Sequence, residues 1–102
     1  MLMGTLIIPI HLHGIGSLKD KRKIVKSLIE RMRNRFNASV SEIEAHDNKR
    51  LAVIGIAVIS NEGSFLDEQL DTIINFINQD GRFFPGQIQR EQFPVNSDIP
   101  FL

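Results

Sequence analysis

Two stretches of the chain repeat apolar residues every three or four positions, which is the spacing of one helix face. The first covers residues 18–36, and its apolar stripe consists of Ile24, Val25, Leu28, Ile29, Met32 and Phe36. Ser17 stands directly before it and has a side chain that suits an N-cap. The second covers residues 65–79 and follows Ser64, another candidate N-cap. The pattern therefore predicts two amphipathic helices.

Four other stretches are typical of β-strands. Residues 2–13, 38–46 and 51–60 carry most of this signal, and residues 86–93 form a weaker fourth candidate. The stretch 51–60, LAVIGIAVIS, is apolar at nearly every position, so we expect a central strand that is covered on both faces. Pro9 has no N–H to donate to a neighbouring strand, and it therefore predicts a bulge or an edge position within the first strand.

The order strand, helix, strand, strand, helix, strand predicts an α+β fold. We expect a ferredoxin-like βαββαβ sandwich, in which a four-stranded antiparallel sheet carries two helices on one face. The first and third strands are expected to be central and parallel, with the second and fourth at the edges. The prediction is one domain over residues 1–93 and an extended C-terminal tail over residues 94–102.

The sheet face without helices needs a cover, because a large exposed apolar surface is unusual on a monomer. The cover could be a second copy of the chain or the apolar residues of the tail, Ile99, Phe101 and Leu102. Of these two covers, we expect the second copy, in a homodimer.

Composition narrows the class of protein further. The chain has 102 residues and no Cys, which suits a single domain without disulfides or thiolate metal sites. No run approaches the ~20 apolar residues of a membrane span, and the apolar run LIIPI near the N-terminus lacks the basic leader of a signal peptide. We therefore expect a cytoplasmic protein that does not contact membranes.

The charge is zero overall but unevenly distributed. Residues 1–50 hold ten Lys/Arg against five Asp/Glu, and residues 51–102 hold two against seven. Eight of the twelve cations lie within residues 19–35. This asymmetry predicts a basic face on the first helix. The candidate phosphate contacts are Lys19, Lys21, Arg22, Lys23, Lys26, Arg31 and Arg33.

Lys21 differs from the other cations, because its helical angle falls within the apolar stripe. Its ammonium group is expected to reach towards the end of the sheet or the preceding loop. The simpler alternative for the whole cluster is that it only keeps the helix soluble.

Cations crowd the start of this helix, where the helix dipole makes them unfavourable. The preceding loop HGIGS offers a reason, since Gly14, Gly16 and Ser17 lead directly into the helix N-terminus. Backbone N–H groups in such a turn can bind an anion, and a phosphate there would offset the repulsion between cations. The alternative is that the two glycines only permit the turn.

The aromatic content bears on how nucleic acid could bind. The chain has no Tyr or Trp, and the predicted strands contain only Phe93. Stacking of bases on the sheet is therefore disfavoured, and phosphate contacts from the helix are favoured.

Neither the histidines nor the strand glutamates form a convincing reactive site. His11 and His13 share one face of the first strand, whereas His46 is expected at the opposite end of the sheet, so a metal site is disfavoured. Glu42 and Glu44 are expected to share one face of the second strand without a nucleophile nearby. Salt bridges to the basic helix or to the loop cations suit them better than catalysis.

The segments SLKDKRKIVKSLIERMRNRFNASVSEIEAHD and RLAVIGIAVIS resemble the YlxP-like family, small bacterial proteins of unknown function. The resemblance extends to about residue 80, and the segment GRFFPGQIQREQFPV departs from the family pattern. Its most specific positions are Leu18, Lys19, Lys21, Arg22, Arg31, Phe36, Asn37, Ser39, Val40 and Glu42.

The resemblance implies a ferredoxin-like sandwich and no catalytic residue. It also implies a connection to RNA or the ribosome, since genes of the family often lie beside those for transcription elongation, translation initiation and ribosome maturation factors. We therefore expect a non-enzymatic RNA-binding or ribosome-associated module without a cofactor. The alternatives are a homodimer that docks an acidic protein partner through the basic helix, and a sensor of a small anion.

Overall fold

The computed structural model describes residues 1–96 of the protein. Residues 97–102, which include the tail positions Ile99, Phe101 and Leu102, lie outside the described residues. Five strands and two helices follow one another along the chain: β1 (Leu2–Leu12), α1 (Leu18–Arg35), β2 (Ser39–Glu44), β3 (Leu51–Ser60), α2 (Gly63–Asn78), β4 (Phe83–Pro85) and β5 (Gln89–Pro94).

The strands form one antiparallel sheet in the order β2-β3-β1, with β4 and β5 both pairing with the other side of β1. The predicted α+β class and ferredoxin-like arrangement are confirmed. One topological detail is wrong: β1 and β3 are central but antiparallel to each other. The reason is that the crossover through α1 makes β1 and β2 parallel, and β3 then returns from β2 as an antiparallel hairpin between them.

The last strand is split in two, and the break lies opposite Pro9. Ile10 faces Pro85 whereas Ile7 faces Gln89, so the β4–β5 side contains one extra residue and forms a bulge. The Gly86 N–H donates to the carbonyl of Pro9 at 2.7 Å. Because Pro9 has no N–H to offer on that side, the neighbouring strand cannot continue its ladder there. The predicted bulge is thus present, although in the partner strand.

The helices cover one face of the sheet, and the core lies between these two layers. Alternate residues of β1 and β3 point towards the helices and are buried, as the pattern of period two requires. They meet buried residues from both helices, namely Val25, Leu28, Met32, Leu66, Leu70, Ile73 and Ile77.

The opposite sheet face is here called the open face. It consists of alternate residues of β1, β3 and β2 together with their neighbours on β5. On β1, β3 and β2 these are Met3, Thr5, Ile7, Pro9, His11, Leu51, Val53, Gly55, Ala57, Ile59, Ser39, Ser41, Ile43 and Glu44.

The two helices begin differently. Ser17 caps α1 as predicted, and its hydroxyl accepts a hydrogen bond from the Asp20 N–H at 3.1 Å. The prediction for α2 is wrong, because the helix begins at Gly63 after Glu62, and Ser64 lies inside its first turn. Glu62 makes no side-chain cap, so α2 depends on the packing of its apolar stripe. Neither helix within residues 1–96 is long and apolar enough to cross a membrane.

Candidate nucleic-acid interface on the first helix

The side of α1 that faces away from the sheet carries five cations, which we call the basic face. Its members are Lys19, Arg22, Lys23, Lys26 and Arg33, and all five are exposed. The wheel positions that bury Val25, Leu28 and Met32 on the other side dictate this orientation. The helix therefore turns its apolar stripe to the core and a row of positive charge to solvent.

Nearby carboxylates neutralise the basic face only weakly. Arg22 Nη2 lies 3.6 Å from Asp47 Oδ1, and Lys26 Nζ lies 4.0 Å from Glu30 Oε1. Both cations stay well exposed, at 61% and 78% of the side chain, and such surface pairs contribute about 0–1 kcal/mol. Within residues 1–96, Lys19, Lys23 and Arg33 have no carboxylate partner within 4.0 Å.

Arg33 is the cation of the basic face with a fixed position. Its Nη2 donates to the Val40 carbonyl of β2 at 2.7 Å, which holds the guanidinium across the space between α1 and β2. A groove of about 320 Å³ runs there, and Lys26 and Ser41 also line it. The guanidinium has five N–H donors, so the bond to Val40 leaves others for an anion.

Lys21 is not part of the basic face, and its assignment as a phosphate contact is corrected. Its side chain has no exposed surface, and its Nζ donates to the Ala45 carbonyl at 2.7 Å. The same atom lies 2.8 Å from Glu42 Oε2 and 3.4 Å from the His46 carbonyl. The contact with Glu42 is an ion pair and not an aligned hydrogen bond, since that oxygen has no hydrogen-bond donor aligned on it.

These contacts give Lys21 a structural role. The side chain ties the first turn of α1 to the end of β2, where Ala45 adopts a positive φ of 64°. The expectation that its ammonium would reach towards the end of the sheet agrees with this position. A cation without accessible surface cannot contact RNA, however, and the pair with Glu42 also removes a negative charge from the base of the groove.

Arg31 belongs to a separate cluster at the far end of α1. Its Nη1 donates to Asp80 Oδ2 at 3.2 Å, and Arg82 donates to both oxygens of the same carboxylate. The hydrogen bond from Arg82 in particular holds the pKa of Asp80 below its usual value. The Arg31 guanidinium also lies 5.1 Å from the centroid of the Phe76 ring. Arg31 thus joins α1 to the end of α2 and is less available to a phosphate than predicted.

The HGIGS loop gives the anion prediction little support. Gly14 has a φ of +68°, which explains the glycine by backbone conformation alone. The Ser17 hydroxyl already serves as the helix cap. The hollow beside Gly16 and Ser17 is also lined by Lys49 and Arg50, whose place there no local sequence pattern predicts, and by Asp47, whose carboxylate is negative. An anion bound by Gly14, Gly16 and Ser17 stays a prediction.

The histidine geometry differs from the expected one. Because β1 and β2 are parallel, His46 lies at the same end of the sheet as His13, and not at the opposite end. His13 packs edge-on against Phe84 at 5.0 Å, and His46 Nε2 lies 3.1 Å from the Glu42 carbonyl. No group of three or more potential ligands for a metal ion occurs in the part of the chain that the structure describes.

The two glutamates of β2 do not share a face. A bulge between Glu42 and Glu44 turns the first towards the helices, opposite Ile54, and the second towards the open face, opposite Val53. Glu42 pairs with Lys21, so the expected salt bridge to the basic helix is present. The pair of carboxylates considered for acid–base chemistry does not form.

Phe, Tyr and Trp are absent from the open face of the two central strands, β1 and β3, where His11 is the exposed ring. Phe84 and Phe93 are exposed, but both lie on the outer strands β4 and β5. Sheet-based RNA recognition places stacking aromatics centrally, so this face is not built for it.

The protein belongs to the class of small α+β sandwiches in which two helices, the first of them basic, cover one face of an antiparallel sheet. Sequence comparison identifies its family. A family model described as "Protein of unknown function (DUF503)" matches residues 3–88, and the chain belongs to this family. The chain is 34% identical over 67 residues to "Uncharacterized protein YlxP" of Bacillus subtilis (strain 168), covering 66% of this chain and 73% of the relative. The resemblance to the YlxP-like family is confirmed.

One solved structure with a similar fold is "De novo designed protein Foldit4". It is 13% identical to this chain with a TM-score of 0.49, covering 92% of this chain and 99% of its own.

Proposed function

We propose that this protein is a non-enzymatic, cytoplasmic RNA-binding module that contacts ribosomal or other structured RNA through the basic face of α1. The observation that carries the proposal is the incomplete neutralisation of that face. Among residues 1–96, its five cations meet two carboxylates, at 3.6 and 4.0 Å. Phosphate oxygens would supply the missing counter-charge, and contacts of this kind dominate the affinity of proteins for nucleic acids.

The shape of the basic face favours a polyanion over a small anion. From Lys19 to Arg33 the helix rises by about 21 Å, so the cations form a row and do not converge on one point. Arg33, held by Val40 beside the groove, would fix the register of the RNA backbone at one end of the row.

The non-enzymatic part of the proposal rests on the carboxylates. Arg82 and Arg31 lower the pKa of the Asp80 carboxyl and hold it in its charged form. A group held ionised in this way is a structural anchor and a poor general acid or base.

The test is the salt dependence of RNA binding. Fluorescence anisotropy would follow a labelled RNA hairpin and purified bacterial ribosomal RNA between about 50 and 200 mM KCl. Five phosphate contacts predict a slope of log K against log salt of roughly −4.5, and the variant Lys19→Gln/Lys23→Gln/Lys26→Gln should reduce it to roughly −1.8. Thermal unfolding would show that the variant is folded.

The matched control is Lys49→Gln/Arg50→Gln, which removes cations from the β2–β3 loop. It should leave the slope within about one unit of wild type. Equal slopes for the triple variant and wild type, or no RNA binding at low salt, would contradict the proposal. Co-purification from the native cell with and without nuclease tests the protein-partner alternative, because a nuclease-resistant, salt-sensitive protein partner would favour docking to an acidic protein.

A further inference from the structure

We infer that the open face of the sheet is the interface of a homodimer, in which two copies pack sheet against sheet with their helices outward. The ten open-face positions of β1 and β3 hold no Lys, Arg, Asp or Glu. Ile7, in the middle of β1, is 36% exposed, and Ile43, at the bulge near the end of β2, is 42% exposed. An uncharged apolar centre of this kind is typical of a buried interface and not of a solvated sheet face.

The charges of the open face lie at its margins. Glu44 on β2 and Glu91 on β5 face the open side at opposite edges of the sheet, according to their pairing with Val53 and Thr5. A polar rim around an apolar centre is the usual anatomy of a protein interface. When a second copy packs by two-fold symmetry, identical surfaces meet, and no like charges face each other at the centre.

The area fits a dimer. β1 and β3 pair over ten residues and the outer strands over fewer, so at about 4.8 Å between strands and about 3.4 Å per residue the face covers roughly 600 Å². A standard interface buries about 800 Å² per partner, and exposed apolar patches on monomers seldom exceed a few hundred Å². One extended segment covers only a single strand width, so a second copy covers this face better than the tail residues 97–102 would.

The shape of the open face, which contains a shallow hollow, also favours self-association. Gly55 lies at the centre of β3 beside Ala57 and Ser41, and these small residues help to line a shallow hollow of about 390 Å³. The side chain of Ile43 reaches over Gly55, where a Cβ would lie 2.8 Å from its Cγ2. Ile7 stands at the edge of the same hollow. In a two-fold arrangement, Ile7 of each copy can enter the hollow of the other copy.

The experiment measures mass in solution by analytical ultracentrifugation and light scattering over a range of protein concentrations. Wild type should show twice the monomer mass of 11.6 kDa. Ile7→Glu buries a charge at the interface and should raise the dimer dissociation constant by about 100-fold or more. Ile43→Glu is a second variant with the same expectation, in case the first does not fold.

Phe65→Glu is the matched control, because it replaces an exposed apolar residue on α2 by the same charge, away from the open face. It should stay dimeric. A monomeric wild type, or a dimer that survives both Ile7→Glu and Ile43→Glu in folded form, would overturn the inference. A monomer that dimerises once residues 97–102 are removed would also overturn it and show that the tail covers the face.

Dimerisation and RNA binding can be separated by salt. The interface is uncharged at its centre, so its dissociation constant should change less than about threefold between 50 and 200 mM KCl, in contrast to the RNA affinity. The basic face of α1 lies on the outer layer of each copy, so folded Ile7→Glu should keep the salt slope for RNA. Failure of one measurement therefore leaves the other interpretable.

Discussion

Replacement of Lys21 by Met tests the buried ion pair most directly. The Met side chain is unbranched and one atom shorter than that of Lys, and it leaves the Glu42 carboxylate, which is only 15% exposed, without its cation. Breaking a buried pair in this way typically costs about 3–5 kcal/mol, and the Ala45 carbonyl also loses its donor. Because Glu42 keeps some contact with water, we expect about 3 kcal/mol, which a domain of this size can lose and still fold.

The assay is urea unfolding of Lys21→Met, Glu42→Gln and the double variant. With a slope of about 1.2 kcal/mol per M, each single change should lower the midpoint by about 2–3 M. The double variant contains no uncompensated charge, so its destabilisation should be smaller than the sum of the single effects by at least about 2 kcal/mol. Single effects below about 0.5 kcal/mol that simply add would refute the reasoning.

The same variant separates structure from binding. Since Lys21 has no exposed surface, folded Lys21→Met should keep the wild-type salt slope for RNA. A slope reduced by about one unit would mean that Lys21 contacts a phosphate after all.

Two further changes probe the packing of the helices. Gly4→Ala should destabilise the protein by about 1–3 kcal/mol in urea unfolding, because the added Cβ would lie 2.8 Å from Leu70 Cδ1 in the core; wild-type stability would contradict this. Asp80→Asn removes the ionised carboxylate and should lower the free energy of unfolding. In wild type the contribution of this carboxylate is present above the usual pKa of 3.8 and is lost as the pH falls through the lower pKa of the folded state. The unfolding free energies of wild type and Asp80→Asn should therefore approach each other as the pH falls below 3.8 and meet below the folded-state pKa of Asp80, and a constant difference would contradict the linkage.

The elements of the fold were accessible from the sequence because their patterns are local. The helical stripe of α1, the Ser17 cap and the continuous apolar run of β3 each depend on residues a few positions apart. The division of the last strand into β4 and β5 could be predicted from the sequence only in part. Pro9 predicted an irregularity in β1, but the bulge lies in the partner strand near Gly86, which is far from Pro9 in the sequence.

The candidate site shows the same division. The sequence determined that α1 has one apolar and one basic side, since helical geometry alone fixes these positions. Which cations remain free was decided by residues brought together from distant parts of the chain: Glu42 and Ala45 enclose Lys21, and Asp80 engages Arg31. Ion pairs of this kind join elements separated by 21 to 49 positions, and no local spacing predicts them.

The sequence by itself determined the element types, the α+β class and the presence of a basic helix, because each follows from periodicity and composition. Only the tertiary structure decided the antiparallel relation of β1 and β3, the burial of Lys21 and the uncharged centre of the open face. These depend on which strands become neighbours, and neighbours in a sheet are chosen by the packing of the whole chain.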